Sequence, residues 1–515
     1  MSVYRRKDMK CNKPIKQMSF NKMYLMKKQV LIILMVLSTS INYAQKCDCS
    51  SNLKWLIETF EKNDAGFQYI IDKKGKNAYQ AHNKIYINKA LAVKTKPECL
   101  KLLNDWTEFF RKNHLQVIFN PSKNQKKQEK LSKEAIIEKY KNSPKFDIKE
   151  KKFKKYISNL KNKDSFEGIW LSEPYVIGIV KDTKNPNRDY IGFIITSKIP
   201  YWQKNQIKLE IIKNKNGNYD MNYYMGDHSV RKIKNIKIAG NNYLLSDFIV
   251  LKRINPVFKT DPDTELFFKS LYARKPFLEK ISKNTVLLRI PSFRRTEKKD
   301  IDSILAKNKH LISKTDNLII DVRNNGGGSD VSYEKIIPYL YTNPIRGLGV
   351  QFLSTELNNK RMIDFMNDPN WSEKDKEWAR KSFEKLNKHI GKFVNLKDKI
   401  VSIDTLDTIL PYPKNVAILV NGNCGSTTEQ FLLEAKQSKK VKLFGTTTVG
   451  SLDISNLYSV NSPCGEYQLW YGLTKSYRIP EMTIDGKGIQ PDYFFDRTIK
   501  PYEWIKKTEE ILNYK

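Results

Sequence analysis

The chain has 515 residues and a formal net charge of +37, with 40% hydrophobic and 11% aromatic residues. That length is too great for one core and suggests about three domains, each with ample apolar material to bury. The charge does not make the chain a nucleic-acid binder, because its lysines are spread over every segment and form no concentrated basic patch with base-reading or stacking groups.

In chain order, residues 1–45 read as a secretory signal peptide. Lys27 and Lys28 precede an eight-residue apolar run, Val30 to Leu37, which ends in small and polar residues up to Ala44 and Gln45. The run is too short to span a bilayer, so no integral membrane span is expected after its removal. The residues ahead of Met23 and Met26 suit a signal poorly, which places the translation start at one of those methionines. Without the first 45 residues the chain keeps 83 basic and 54 acidic residues, a formal +29. The expected location is the periplasm, the cell envelope or the exterior. There the remaining cysteines, Cys47, Cys49, Cys99, Cys424 and Cys464, can oxidise. The expected pairing is Cys424 with Cys464, and Cys99 with Cys47 or Cys49, leaving one thiol over. No C-x-x-C pair or histidine cluster occurs, so neither a metal nor a cofactor is expected.

Residues 46–120 form an N-terminal helical region. From Pro97 to His114 the apolar positions Cys99, Leu102, Leu103, Trp106, Phe109 and Phe110 recur at helical spacing. Beyond His114 the pattern alternates through Leu115, Val117 and Phe119, so His114 stands at a helix-to-strand junction. It is either a cap or surface group, or a catalytic imidazole. Residues 121–164 read as a lysine-rich linker or helical arm. Residues 165–258 carry six short apolar segments separated by Asn, Gly, Asp and Lys turns, the pattern of a small antiparallel barrel or sandwich.

From residue 265 to 515 helices and strands alternate, as in an α/β sheet covered on both faces. Strands are expected at Thr285–Ile290, Asn317–Val322, Val416–Val420 and Val441–Phe444, with a charged helical insert over Trp371–Lys392. The third strand ends at Asn421-Gly422 and a helix starts at Ser426-Thr-Thr-Glu429, which has capping-box spacing. Two readings of Ser426 stand together. It caps the helix, or its hydroxyl is a nucleophile facing the unpaired N–H groups and positive end of that helix. After Asn317–Val322 comes Arg323-Asn-Asn-Gly-Gly-Gly328, where three glycines permit close backbone approach or serve as a flexible turn.

Four motifs stand in series: Asp321-Val-Arg-Asn-Asn-Gly-Gly-Gly328, Ser426-Thr-Thr-Glu429, Phe444-Gly-Thr-Thr-Thr-Val-Gly450 and Gly488-Ile-Gln-Pro-Asp492. In this order they resemble the tail-specific, or C-terminal-processing, serine peptidases, a family that includes the tricorn core protease. The resemblance implies a ClpP/crotonase-like α/β peptidase domain, with the N-terminal helical region and a small antiparallel β domain in place of a PDZ domain. It implies an exported serine peptidase hydrolysing peptides or proteins through an acyl-enzyme on Ser426, with an oxyanion hole from the N–H groups of Thr427 and Gly327. The branch with a serine–lysine dyad carries lysine where this chain has Ser451. The similarity is therefore closer to the tricorn-like branch, which implies His114 as base and Asp485 as its orienting acid. The alternative is a silent relative that binds peptides or envelope ligands with the same fold.

Overall fold

The computed structural model describes residues 47–122, 132–160, 164–246 and 248–514, so the expected signal peptide lies outside the described residues. Among the described residues no helix is long and apolar enough to cross a membrane.

The α/β core is a six-stranded sheet in the order Phe277–Lys280, Thr285–Arg289, Asn317–Asp321, Asn415–Val420, Val441–Gly445 and Tyr493–Phe494. Only the first strand is antiparallel to its neighbour. Its middle strands are apolar runs because both faces are covered. Successive side chains divide between the faces. Leu318, Ile320, Val416, Ile418 and Val420 pack under the helices Lys298–Lys307 and Thr427–Ala435. Ile319, Ala417 and Leu419 pack against Trp504 and Ile505 of the C-terminal helix Trp504–Asn513. The registers Asp321↔Leu419 and Leu419↔Phe444 bring the ends of three parallel strands to one edge.

A second sheet, of which only the strand after His114 was expected, is organised around Tyr467–Ser476. That strand pairs with Ile454–Asn461, Val350–Leu353 and Gln116–Phe119. Four N-terminal helices, Cys49–Asn63, Phe67–Lys74, Lys76–Ala92 and Lys96–Thr107, supply Leu56, Phe60, Leu103 and Trp106 to a core shared with Leu469, Tyr471 and Leu473. The fourth helix stops at Thr107 rather than running on to His114. Its apolar spacing continues because Phe110, although outside the helix, still packs on Phe60 with ring centroids 4.4 Å apart. The turn is held by Arg111, which pairs with buried Asp64 and donates 3.0 Å to the His114 carbonyl.

The cysteine pairing differs from expectation. The disulfides are Cys47–Cys464 and Cys49–Cys99, and Cys424 is free and fully buried. Cys464 belongs to the hairpin turn of the second sheet, against the first helix, whereas Cys424 lies beneath the nucleophile turn and donates to the Val322 carbonyl at 3.1 Å. Burial pushes the Cys424 thiol pKa up to about 12.

Eight consecutive antiparallel strands between Gly168 and Asn255 close into a barrel, the first pairing with the last. Two of them, Val230–Ala239 and Tyr243–Leu245, escaped the sequence pattern. In Val230–Ala239 the exposed positions are Val230, Arg231, three lysines and Asn235, and only Ile233 and Ile236 are buried, so the strand shows no clean apolar alternation. The described part of residues 121–164 forms helices Lys133–Tyr140 and Glu150–Ser158, and the second lays buried Phe153 and Ile157 on the barrel wall.

Candidate active site

Adjacent parallel strands deliver their following loops side by side, and here the two loops are laced together. Asn421 Oδ1 accepts from Asn324 N–H at 2.9 Å, and the Asn421 and Asn423 amides both donate to Asn324 Oδ1 at 2.8 and 2.9 Å. Gly425 N–H and the Thr428 hydroxyl donate to the Asn325 carbonyl at 3.3 and 2.9 Å. The glycine loop is thereby pressed onto the turn that carries Ser426.

Ser426 has φ +57° and ψ −125°. A side chain held at such angles costs on the order of 1–3 kcal/mol and persists only where the surroundings impose it. What imposes it is Glu429, fully buried, whose carboxylate accepts from Ser426 N–H at 3.2 Å, Gly450 N–H at 2.7 Å, Ser451 N–H at 2.8 Å and the Thr448 hydroxyl at 2.5 Å. The Glu429 arm of the capping box therefore ties the serine turn to residues 448–451. Burial raises the Glu429 pKa, and these four donors oppose that rise.

Gly327 has φ +100°, and a Cβ there would fall 2.7 Å from the Gly425 carbonyl oxygen, 2.8 Å from Thr427 N and 2.9 Å from Ser426 Cβ. Only glycine fits so close to the serine. Its N–H, however, does not face a substrate: it donates to Asn325 Oδ1 at 3.0 Å. The expected donor role of Gly327 is thus closed by its own loop. Thr427 N–H, in the first turn of its helix, is one of the groups a helix leaves without an internal acceptor.

His114, Gly326, Gly425 and Ser451 line one cleft of about 730 Å³. His114 reaches it from the N-terminal layer with φ +55°. Its Nδ1 lies 2.8 Å from the Ile454 carbonyl oxygen. A carbonyl only accepts, so Nδ1 carries the proton and Nε2 keeps its lone pair. Burial lowers the His114 pKa, Arg111 adds to that, and the Ile454 bond and the charge of Asp485 oppose it.

Asp485 does not bond the imidazole, contrary to expectation. Its carboxylate accepts from Leu452, Asp453 and Ile454 N–H at 2.6, 2.7 and 3.1 Å. Asp453 returns the arrangement, accepting from Ile484 and Asp485 N–H at 2.6 and 2.8 Å while pairing with buried Arg478 at 2.8 Å. These crossed carboxylates fix the segment whose carbonyl holds His114. The sequence carries no signal for Ile454, since its contribution is backbone, and the Asp453–Arg478 pair joins residues with no motif of their own. Ser451 lies against Gly425, its Oγ 2.8 Å from where a Cβ of that glycine would sit. Among the described residues no group of His, Cys, Asp and Glu side chains is arranged to hold a metal ion.

Residues 284–494, which contain both laced loops and Asp485, match the model of peptidase family S41. This segment is a peptidase family S41 domain. It is accordingly a serine-type peptide hydrolase acting on peptides or proteins. Among solved structures, mature CPAF is 13% identical, with a TM-score of 0.46 over 90% of this chain and 96% of that one. A putative peptidase from Parabacteroides merdae is 12% identical, with a TM-score of 0.40 over 91% and 98%. The tricorn protease is 11% identical, with a TM-score of 0.37 over 90% of this chain and 36% of that one. No curated protein sequence matches the chain.

Proposed function

We propose that this S41 peptidase is exported and cleaves peptide bonds through an acyl-enzyme on Ser426, with His114 as general base. The observation that carries this is the forced left-handed φ of Ser426 at a strand-to-helix turn, with Gly327 packed on its Cβ and the next residue back facing the same cleft as His114. Nucleophilic serines of hydrolases are presented on such strained turns. Nε2 of His114 takes the Ser426 proton as Oγ attacks the substrate carbonyl, and later gives it to the leaving amine. The Ile454 carbonyl does for the imidazole what a carboxylate does in a Ser-His-Asp triad: it fixes the tautomer and the ring plane. Asp485 acts at one remove, by holding residues 452–454. The oxyanion is received by Thr427 N–H and by Gly326 N–H, since Gly326 lines the cleft while Gly327 N–H is engaged.

The peptidase domain is of the ClpP/crotonase-like kind in this reading, and the closed barrel at 168–255 stands where relatives of the tail-specific branch carry a PDZ domain. Export rests on the sequence of residues 1–45 and on the two disulfides, which oxidising compartments favour. A serine-directed fluorophosphonate on the purified protein tests the chemistry. Labelling is expected for the wild type, and Ser426→Ala should abolish it and lower peptide turnover at least about a thousand-fold. A wild type that neither labels nor cleaves across varied peptides and pH values would instead make the chain a silent, peptide-binding relative.

A further inference from the structure

Beside the laced loops, sharing no lining residue with the cleft, lies another pocket, of about 130 Å³. Arg289, Asp321 and Arg323 line it together with Ser270, and its walls include Phe267 and Trp504. The three charged side chains are 2%, 1% and 6% exposed, and two cations share one anion. The sharing is uneven. Asp321 takes Arg323 in bidentate fashion, at 2.9 Å through Nε and 2.7 Å through the terminal nitrogen. Arg289 reaches the same carboxylate only at 3.5 Å. Its better bonds go to neutral carbonyls, those of Ser270 at 2.8 Å and Asp321 at 2.9 Å. Asp321 therefore neutralises Arg323 and leaves Arg289 a buried cation with little compensation, an arrangement that costs free energy unless a counter-charge is supplied.

A second observation points the same way. The hydroxyl of Ser270, a residue 1% exposed, is buried with no hydrogen-bond partner. Buried hydroxyls are nearly always paired, so one left over beside an under-compensated guanidinium calls for an acceptor. The pocket reaches solvent past exposed Asn324.

We propose that this pocket is a binding site for a small anion, a halide or a carboxylate, held by the Arg289 guanidinium and the Ser270 hydroxyl. The volume suits an ion of a few heavy atoms, since a cavity of about 150 Å³ takes one benzene molecule. The anion would complete the charge balance of the Arg289–Asp321–Arg323 group. Asn324 and Asn421 line the pocket and also lace the glycine loop to the serine turn, so occupancy stiffens the support of the proposed oxyanion hole. That kinetic consequence rests on the proposed role of Ser426, whereas the binding does not.

The test is therefore made on binding, with bromide as the probe and the full chain as the sample. Crystals grown in bromide should show anomalous scattering between Arg289 and Ser270. At constant ionic strength, replacing gluconate, which is too large for the pocket, by bromide should raise the melting temperature saturably. Acetate displacing the bromide would show that carboxylates share the site, and acetate without effect would restrict it to halides. Ser270→Ala removes an unpaired hydroxyl and so should fold normally, while weakening bromide about three- to ten-fold. Arg289→Met should abolish the response, and if that variant fails to fold the Ser270→Ala titration still decides. No bromide in the pocket, or a melting temperature indifferent to the exchange, overturns the proposal whatever the peptidase activity. Bromide binding that Ser270→Ala leaves unchanged overturns the assigned hydroxyl contact.

Discussion

His114 shows how a residue's environment sets its chemistry. Burial lowers its pKa below the ordinary value of about 6.5, so the folded protein keeps it neutral where a free histidine would be protonated. Two consequences share one sign. The acid limb of kcat/KM should have its midpoint below about 6.5, measurable from a pH–rate profile, and a midpoint above 7 would contradict the Ile454 arrangement. As the pH falls through about 6.5 the unfolded chain gains a proton that the folded one refuses, so this group's contribution to stability is lost on acidification. Gly327 is the other informative position. In Gly327→Ala the new Cβ meets the backbone of Gly425 and Thr427 and the Ser426 side chain. By displacing the serine it should cut kcat about a hundred-fold or more with a smaller change in KM, read from steady-state kinetics.

Among the elements, the barrel holds an unexpected feature inside it. Lys208 is 1% exposed, with its ammonium 4.0 Å from the Trp202 ring centroid, 4.4 Å from Tyr175 and 4.5 Å from Tyr223. The Tyr224 carbonyl accepts from it. Cation–π contact offsets part of the cost of burying the charge. Burial nevertheless pushes the Lys208 pKa down to about 7. Between that value and the ordinary lysine value of about 10.4 the unfolded chain holds a proton that the folded barrel has released. Stability should therefore rise with pH across that interval, and Lys208→Met should flatten the rise in denaturant titrations at pH 7, 8 and 9. A slope unchanged by Lys208→Met would mean that other groups govern it.

At the scale of the whole molecule, the proposed site is assembled from parts of the chain that meet only in the folded state. His114 belongs to the helical layer and Ser426 to the α/β sheet, while Ile454 begins a strand of the second sheet. The two disulfides fasten the first helix, Cys49–Asn63, to the fourth and to the second sheet's hairpin. They close loops of 417 and 50 residues, and removing either should cost about 2–4 kcal/mol in chemical denaturation. Reduction should weaken fluorophosphonate labelling before it unfolds the α/β sheet, because the layer that it loosens carries the proposed base.

The sequence by itself determined what depends on neighbours along the chain. The apolar runs of the central sheet, the Ser426 turn with its Glu429 and the glycine loop are local patterns, and the four motifs in series pointed to the peptidase family. It also marked His114 as a junction, since a change of period is local too. Tertiary structure alone decided what depends on partners far away. Cys464 bonded Cys47 rather than Cys424 because the hairpin that carries it folds onto the first helix. Asp485 turned its carboxylate to three backbone N–H groups, and a main-chain carbonyl took its expected place beside the imidazole. Backbone groups are the same at every residue, so no sequence pattern can announce which carbonyl or N–H a fold will aim into its cleft.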